Sequence, residues 1–221
     1  MTRMKVIVVC LVVLPLIVAA QTGPKPNFFK LGLEHYNKQE YDAAIQNFLK
    51  VVNAKTEPGA NTQAAPTPPI KKADAYYYLG MSFIKKNQPA NAIENFSKSI
   101  TIRPDHGPTL LERGRLYIDQ KQFDLAVADL SKVTVLMPDN IEGHYQLALA
   151  YSWQAKYQEA INSFKKVLEK NPQHTYAHYW IGLAYSKINE YGMAEYHFEM
   201  FLKLCPDCPE AAHVKEFISR Q

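Results

Sequence analysis

A 34-residue periodicity constrains this chain more than any other feature. Gly80, Gly114, Ala148 and Gly182 stand 34 residues apart, and Phe83, Tyr117, Tyr151 and Tyr185 keep the same step. So do Ala92, Ala126, Ala160 and Ala194, and again Phe96, Leu130, Phe164 and Phe198. Pro104, Pro138, Pro172 and Pro206 close each unit. An earlier unit carries Gly32, Ala44 and Phe48 at the same internal spacing, 48 residues before the next, so that 14 extra residues intervene. A period of this length signals stacked supersecondary units rather than one globular core.

Each unit holds two apolar-periodic stretches of helical length, separated by a polar break such as KKNQPAN, DQKQFD or QAKYQE. The small residue of the first helix is expected to face the alanine of the second, so that two antiparallel helices approach closely. The aromatic or leucine column then fills the space beside that contact. The prolines stop the second helices and turn the chain into the next pair. A single pair cannot bury its own apolar face, and stacking on neighbours does so.

The order Leu79-Gly80, Phe83, Ala92, Phe96, Pro104, repeated every 34 residues, resembles the tetratricopeptide repeat family. The resemblance covers roughly Pro26 to Cys208. It implies an all-α, right-handed α-solenoid of about five helix-turn-helix pairs plus a C-terminal capping helix. The organisation expected is a signal peptide at 1–20, a first unit at 21–52, and a flexible Pro-rich insertion at 53–72. Units two to five follow at 73–106, 107–140, 141–174 and 175–208. The capping helix occupies 209–221, with Pro209 at its first position. Four residues depart from the family pattern. Arg113 stands where other units have Leu31, Leu79, Leu147 and Ile181; His144 and His178 fill a column usually given to larger apolar groups; Thr56 replaces the first closing proline.

The segment before the repeats reads MTRMKVIVVCLVVLPLIVAAQTG. Arg3 and Lys5 form a basic start, an apolar run follows to Val18, and Ala19-Ala20 places small residues before Gln21. This is a secretory signal pattern, and the run falls short of the roughly 20 apolar residues a spanning helix needs. A periplasmic or secreted protein is expected, the alternative being an uncleaved N-terminal anchor. The formal net charge of +4 becomes about +2 without Arg3 and Lys5. Such a balance gives no reason to expect nucleic acid, whose phosphates need clustered Lys and Arg.

The resemblance also places a binding groove. In the family, the first helix of each pair lines the concave face through its second, fifth, ninth, twelfth and thirteenth positions. In this sequence these positions include Phe29, Leu33 and Tyr36, then Tyr77, Met81 and Ile84, then Leu111, Arg115 and Ile118. Tyr145, Leu149 and Trp153 follow, and Tyr176, Tyr179 and Leu183 complete the set. They imply an aromatic and aliphatic groove with few charges, suited to a protein or peptide with apolar side chains. Tyrosine and tryptophan are the anchors that interfaces favour. The clamp of chaperone-tail-binding members is absent, because Phe29 and Leu33 replace its first lysine and asparagine.

The mature chain has two cysteines, in CPDC at Cys205 to Cys208. In an exported protein they are expected to oxidise to a small disulfide that pins the cap. A thiol redox protein is the alternative, although Cys205 at the end of a helix meets a dipole that disfavours a thiolate. His174 and His178 are too few for zinc, which needs three or four converging ligands. No phosphate loop, nucleophile elbow or HExxH occurs. The reading is therefore a non-catalytic interaction or scaffold module, without cofactor or metal, acting in envelope or secreted-complex assembly. A second alternative is a membrane-anchored self-assembling scaffold.

Overall fold

The computed structural model describes residues 26–54 and 69–220, and among them every regular element is a helix. The first pair is α1 (Phe28–Asn37) with α2 (Tyr41–Val52), and the second α3 (Pro69–Lys85) with α4 (Pro89–Ile102). Then come α5 (Gly107–Asp119) with α6 (Phe123–Leu136), and α7 (Ile141–Trp153) with α8 (Tyr157–Lys170). The fifth pair is α9 (Thr175–Lys187) with α10 (Tyr191–Leu204), and α11 (Ala211–Ser219) closes the stack. Each helix packs on the next along the chain, both within pairs and between them. The first helices α1 and α3, and α5 and α7, also touch. This is an α-solenoid.

The alanine column (Ala44, Ala92, Ala126, Ala160, Ala194) is wholly buried, as are Phe48, Phe96, Leu130, Phe164 and Phe198. Burying a side chain of that size stabilises by about 1.5–3 kcal/mol, so this column dominates the core. The glycines meet these rings directly rather than the alanines. A Cβ at Gly80 would lie 2.4 Å from Phe96, and one at Gly182 would lie 2.6 Å from Phe198. The missing methyl is thus the slot into which the ring of the same unit's second helix drops.

The turn inside each pair has its own column. Gln39, Asn87, Lys121, Ala155 and Asn189 have φ between 55° and 63°. The next residue's N–H reaches back five residues, as in Gln88 N to the Phe83 carbonyl (2.9 Å) and Glu190 N to that of Tyr185 (3.0 Å). Each first helix therefore ends in a Schellman turn with a left-handed residue.

The departures from the repeat pattern have physical reasons. Arg113 donates to both carboxylate oxygens of buried Asp129 (2.7 and 2.8 Å) and to Ser97 Oγ (2.9 Å). An ion pair thus replaces an apolar contact. His144 and His178 turn their Nε2 to the closing carbonyls of Pro138 (3.0 Å) and Pro172 (3.1 Å). Carbonyl oxygens only accept, so each Nε2 donates.

Two boundaries differ from expectation. The loop assigned to 53–72 ends earlier, because α3 begins at Pro69, a residue suited to a first helical turn. The closing helix begins at Ala211 with Glu210 as its N-cap, so Pro209 lies before it. Thr56, the body of the insertion and the expected signal at 1–20 lie outside the described residues. The first pair packs on the second across that insertion. Tyr78 stacks on Phe48 (centroids 5.5 Å, 14°) and meets Phe29 and Tyr36 edge-on at 6.1 and 5.6 Å.

Candidate functional site

The surface formed by the first helices α1, α3, α5, α7 and α9 carries the residues expected in the groove. Most of them are half-buried, with one edge of the side chain in the core and the other open. Phe29 leans on Phe48 at 5.8 Å, Tyr77 on Phe96 at 6.0 Å, and Tyr145 on Phe164 at 5.6 Å. Tyr179 meets Phe201 at 5.2 Å. Leu33 and Tyr36 pack against the first core cluster, Met81 and Ile84 against Phe96 and its neighbours, and Leu149 and Leu183 against the last. Ile118 packs against the third pair's core. One expectation needs correction. Leu111, only 9 % exposed, is core because it sits between α5 and its neighbours rather than on the rim. Arg115 is exposed.

Arg115 lies 3.8 Å from Glu112 and 3.9 Å from Glu142, the latter also accepting from Gln146 Nε2 at 2.8 Å. Burial pushes the Glu112 carboxyl up, and Glu142 adds to the effect. Burial, with Glu112 second, pushes the Tyr77 hydroxyl up to about 12. The middle of this face therefore holds a charged knot inside an aromatic frame, where few charges were expected. Sequence reasoning misses Glu112 because it is the sixth residue of its unit, one past an expected groove position.

Trp180 is missed for the same reason, being sixth in the fifth unit. It stands edge-on to Trp153 (6.0 Å, 65°), which stacks on Phe123 (6.2 Å, 12°). These indoles, with Tyr157, Leu183 and Lys187, line a cavity of about 260 Å³ between the ends of α7 and α9. Trp153 itself is 56 % exposed.

At the C-terminal end, Tyr176 is also open, and its hydroxyl donates to Glu210 Oε2 at 3.3 Å, with Cys208 Sγ at 4.0 Å. Cys205 and Cys208 are bonded to each other, Cα atoms 5.5 Å apart, with Cys205 as the C-cap of α10. His174 caps α9, its Nδ1 accepting from Ala177 N at 3.1 Å, and its ring lies 4.9 Å from that of Tyr145. Burial lowers its pKa. Among the described residues no three His, Cys, Asp or Glu side chains converge as metal ligands.

Residues 73–106 and 141–174 match the family described as tetratricopeptide repeat, and residues 114–154 match a second model described as TPR repeat. Several solved structures are similar in fold. YrrB, described as a TPR protein with an unusual peptide-binding site, is 20% identical with a TM-score of 0.75, covering 86% of this chain and 90% of that one. MamA AMB-1 is 24% identical (TM-score 0.69; 85% and 95% covered). MamA from Desulfovibrio magneticus RS-1 is 18% identical (TM-score 0.68; 84% and 99%). No curated protein sequence matches.

Proposed function

Because this chain is a tetratricopeptide repeat protein, we propose that it is a non-catalytic scaffold that holds a segment of another protein along the concave face of its first helices. The observation that carries this reading is Trp153. A soluble protein gains by burying its largest apolar side chain, yet this one stands more than half exposed beside an open apolar cavity. The half-buried frame around it supports an interface whose anchors are held before a partner arrives. YrrB, a TPR protein with a peptide-binding site, puts a similar fold to that use.

The partner segment carries apolar side chains, and the setting is extracytoplasmic assembly of an envelope or secreted complex. The signal-like N-terminus and the bonded Cys205–Cys208 pair support export. Crosslinking in the native compartment tests the reading, comparing the natural protein with Trp153→Ala/Tyr176→Ala. Both residues are open, so the variant should keep its helix content. A protein recovered by the first and lost from the second is expected; equal recovery would sink the proposal.

A further inference from the structure

The cavity between the fourth and fifth pairs is built more selectively than the face around it. Its walls are the indoles of Trp153 and Trp180 with Tyr157, Leu183 and Ala184, and one charged group, Lys187, stands among them. The indoles are already fixed: Trp153 is held flat on Phe123, and Trp180 meets it edge-on. A helix with its side chains is about 10–12 Å across, so a space of 260 Å³ admits a side chain and not a helix.

The charge at its mouth is uncompensated. Among the described residues, no carboxylate lies within ion-pair distance of Lys187, nor of Lys156, which stands between the lining residues Ala155 and Tyr157. Among the described residues other lysines, such as Lys38, Lys85 and Lys121, are also without an ion pair, but Lys187 is the one that lines this apolar cavity. An apolar slot with an unpaired ammonium group at its wall complements an apolar side chain with a carboxylate beside it.

We propose that this cavity is an anchor subsite for a partner segment in which a large apolar residue neighbours an aspartate or glutamate. The side chain enters beside the two indoles, and the carboxylate pairs with Lys187. The inference rests on the first-helix face being the binding surface, and it names which chemistry that surface selects.

The chain has two tryptophans and both line the cavity, so intrinsic indole emission reports this site alone. The mature full-length protein is titrated with three blocked hexapeptides centred on Phe-Glu, Phe-Lys and Ser-Glu. Phe-Glu should shift the emission and bind about fivefold tighter than Phe-Lys, the scale of exchanging one exposed attraction for a repulsion. Ser-Glu should leave the emission unmoved. Lys187→Glu should invert the preference while the helix content of the protein stays unchanged. Equal binding of Phe-Glu and Phe-Lys, or a Lys187→Glu protein with the natural preference, would overturn the proposal. So would an emission shift that follows protein concentration without peptide, which would assign the cavity to a second copy. Should no peptide shift the emission while Trp153→Ala/Tyr176→Ala still loses its native partner, the subsite falls and the binding face stands. If that variant also keeps its partner, both fall.

Discussion

At the scale of residues, this molecule contains its own controls, because each position recurs in several units. Phe198 lies against Gly182 with no room for a methyl. Gly182→Ala gains about 1 kcal/mol of helix propensity but forces a fully packed ring to move, at about 1–3 kcal/mol. The variant should therefore be less stable, by about 1 kcal/mol in urea unfolding. Arg113 offers a sharper case. Arg113→Leu restores the residue type of Leu79 but leaves the Asp129 carboxylate buried without its partner, at about 3–5 kcal/mol. The double variant Arg113→Leu/Asp129→Asn copies Leu79 and Asn95 of the second unit and should return to within about 1 kcal/mol of the parent. Two separate losses that simply add would show that the pair is not a unit. Ala155 holds a left-handed φ of 57° without a side chain able to help. That conformation costs about 1–2 kcal/mol and glycine's flexibility about 0.5–1. Ala155→Gly should accordingly raise stability by about 0.5–1 kcal/mol, and Ala155→Val should lower it.

Among the elements, what was legible depended on whether one environment demands one residue type. The slot under each ring demands glycine or alanine, so the helix pairs could be read from the sequence. The left-handed turn demands only a backbone shape, and Gln39, Asn87, Lys121, Ala155 and Asn189 share no chemistry that would mark it. Glu112 and Trp180 escaped because positions carried over from a family pattern skip the sixth residue. The histidines of the last pair escaped because their role lies between two helices. His178 on α9 donates through Nε2 to Pro172, and its Nδ1 meets Nδ1 of His197 on α10, 3.0 Å away. Burial, then His178, then Lys165 hold His197 low, at about 4. In the unfolded chain it titrates near 6.5. As pH falls, the unfolded chain takes up the proton first. The stabilisation is thus complete above about 6.5 and is lost between 6.5 and 4, on the order of 2–3 kcal/mol. Burial lowers His106 and His174 in the same sense. Urea midpoints across pH 7 to 4 should fall, and His197→Asn, the residue of Asn47 and Asn95 in that column, should flatten the curve.

For the whole molecule, stability should follow the chain of neighbours rather than one core, because each pair in a solenoid leans only on the next. The junction of α2 with α3 is a place to test this, since the sequence between residues 55 and 68 interrupts the regular 34-residue step there. Several side chains span it, among them Ala75, Leu79 and Phe83 in the shared core and Lys86 paired with Asp42, but one ring is central. Tyr78 of the second pair stacks on Phe48 and meets Phe29 and Tyr36, so three rings of the first pair are held by one ring of the second. Removing a ring of that size costs about 3–5 kcal/mol in a packed site. In a one-dimensional stack the cost falls on the pair at the end, which has no other neighbour. Tyr78→Ala should therefore uncouple α1 and α2 before the rest unfolds. Native-state hydrogen exchange would show it as lost protection at Ala44 and Phe48, while Leu130, Phe164 and Phe198 keep theirs. Since Phe29, Leu33 and Tyr36 sit on the uncoupled pair, and Trp153 and Leu183 two or more pairs away, the same variant should retain Trp-cavity binding. A uniform loss of protection across all five pairs would mean instead that the stack folds as one cooperative body.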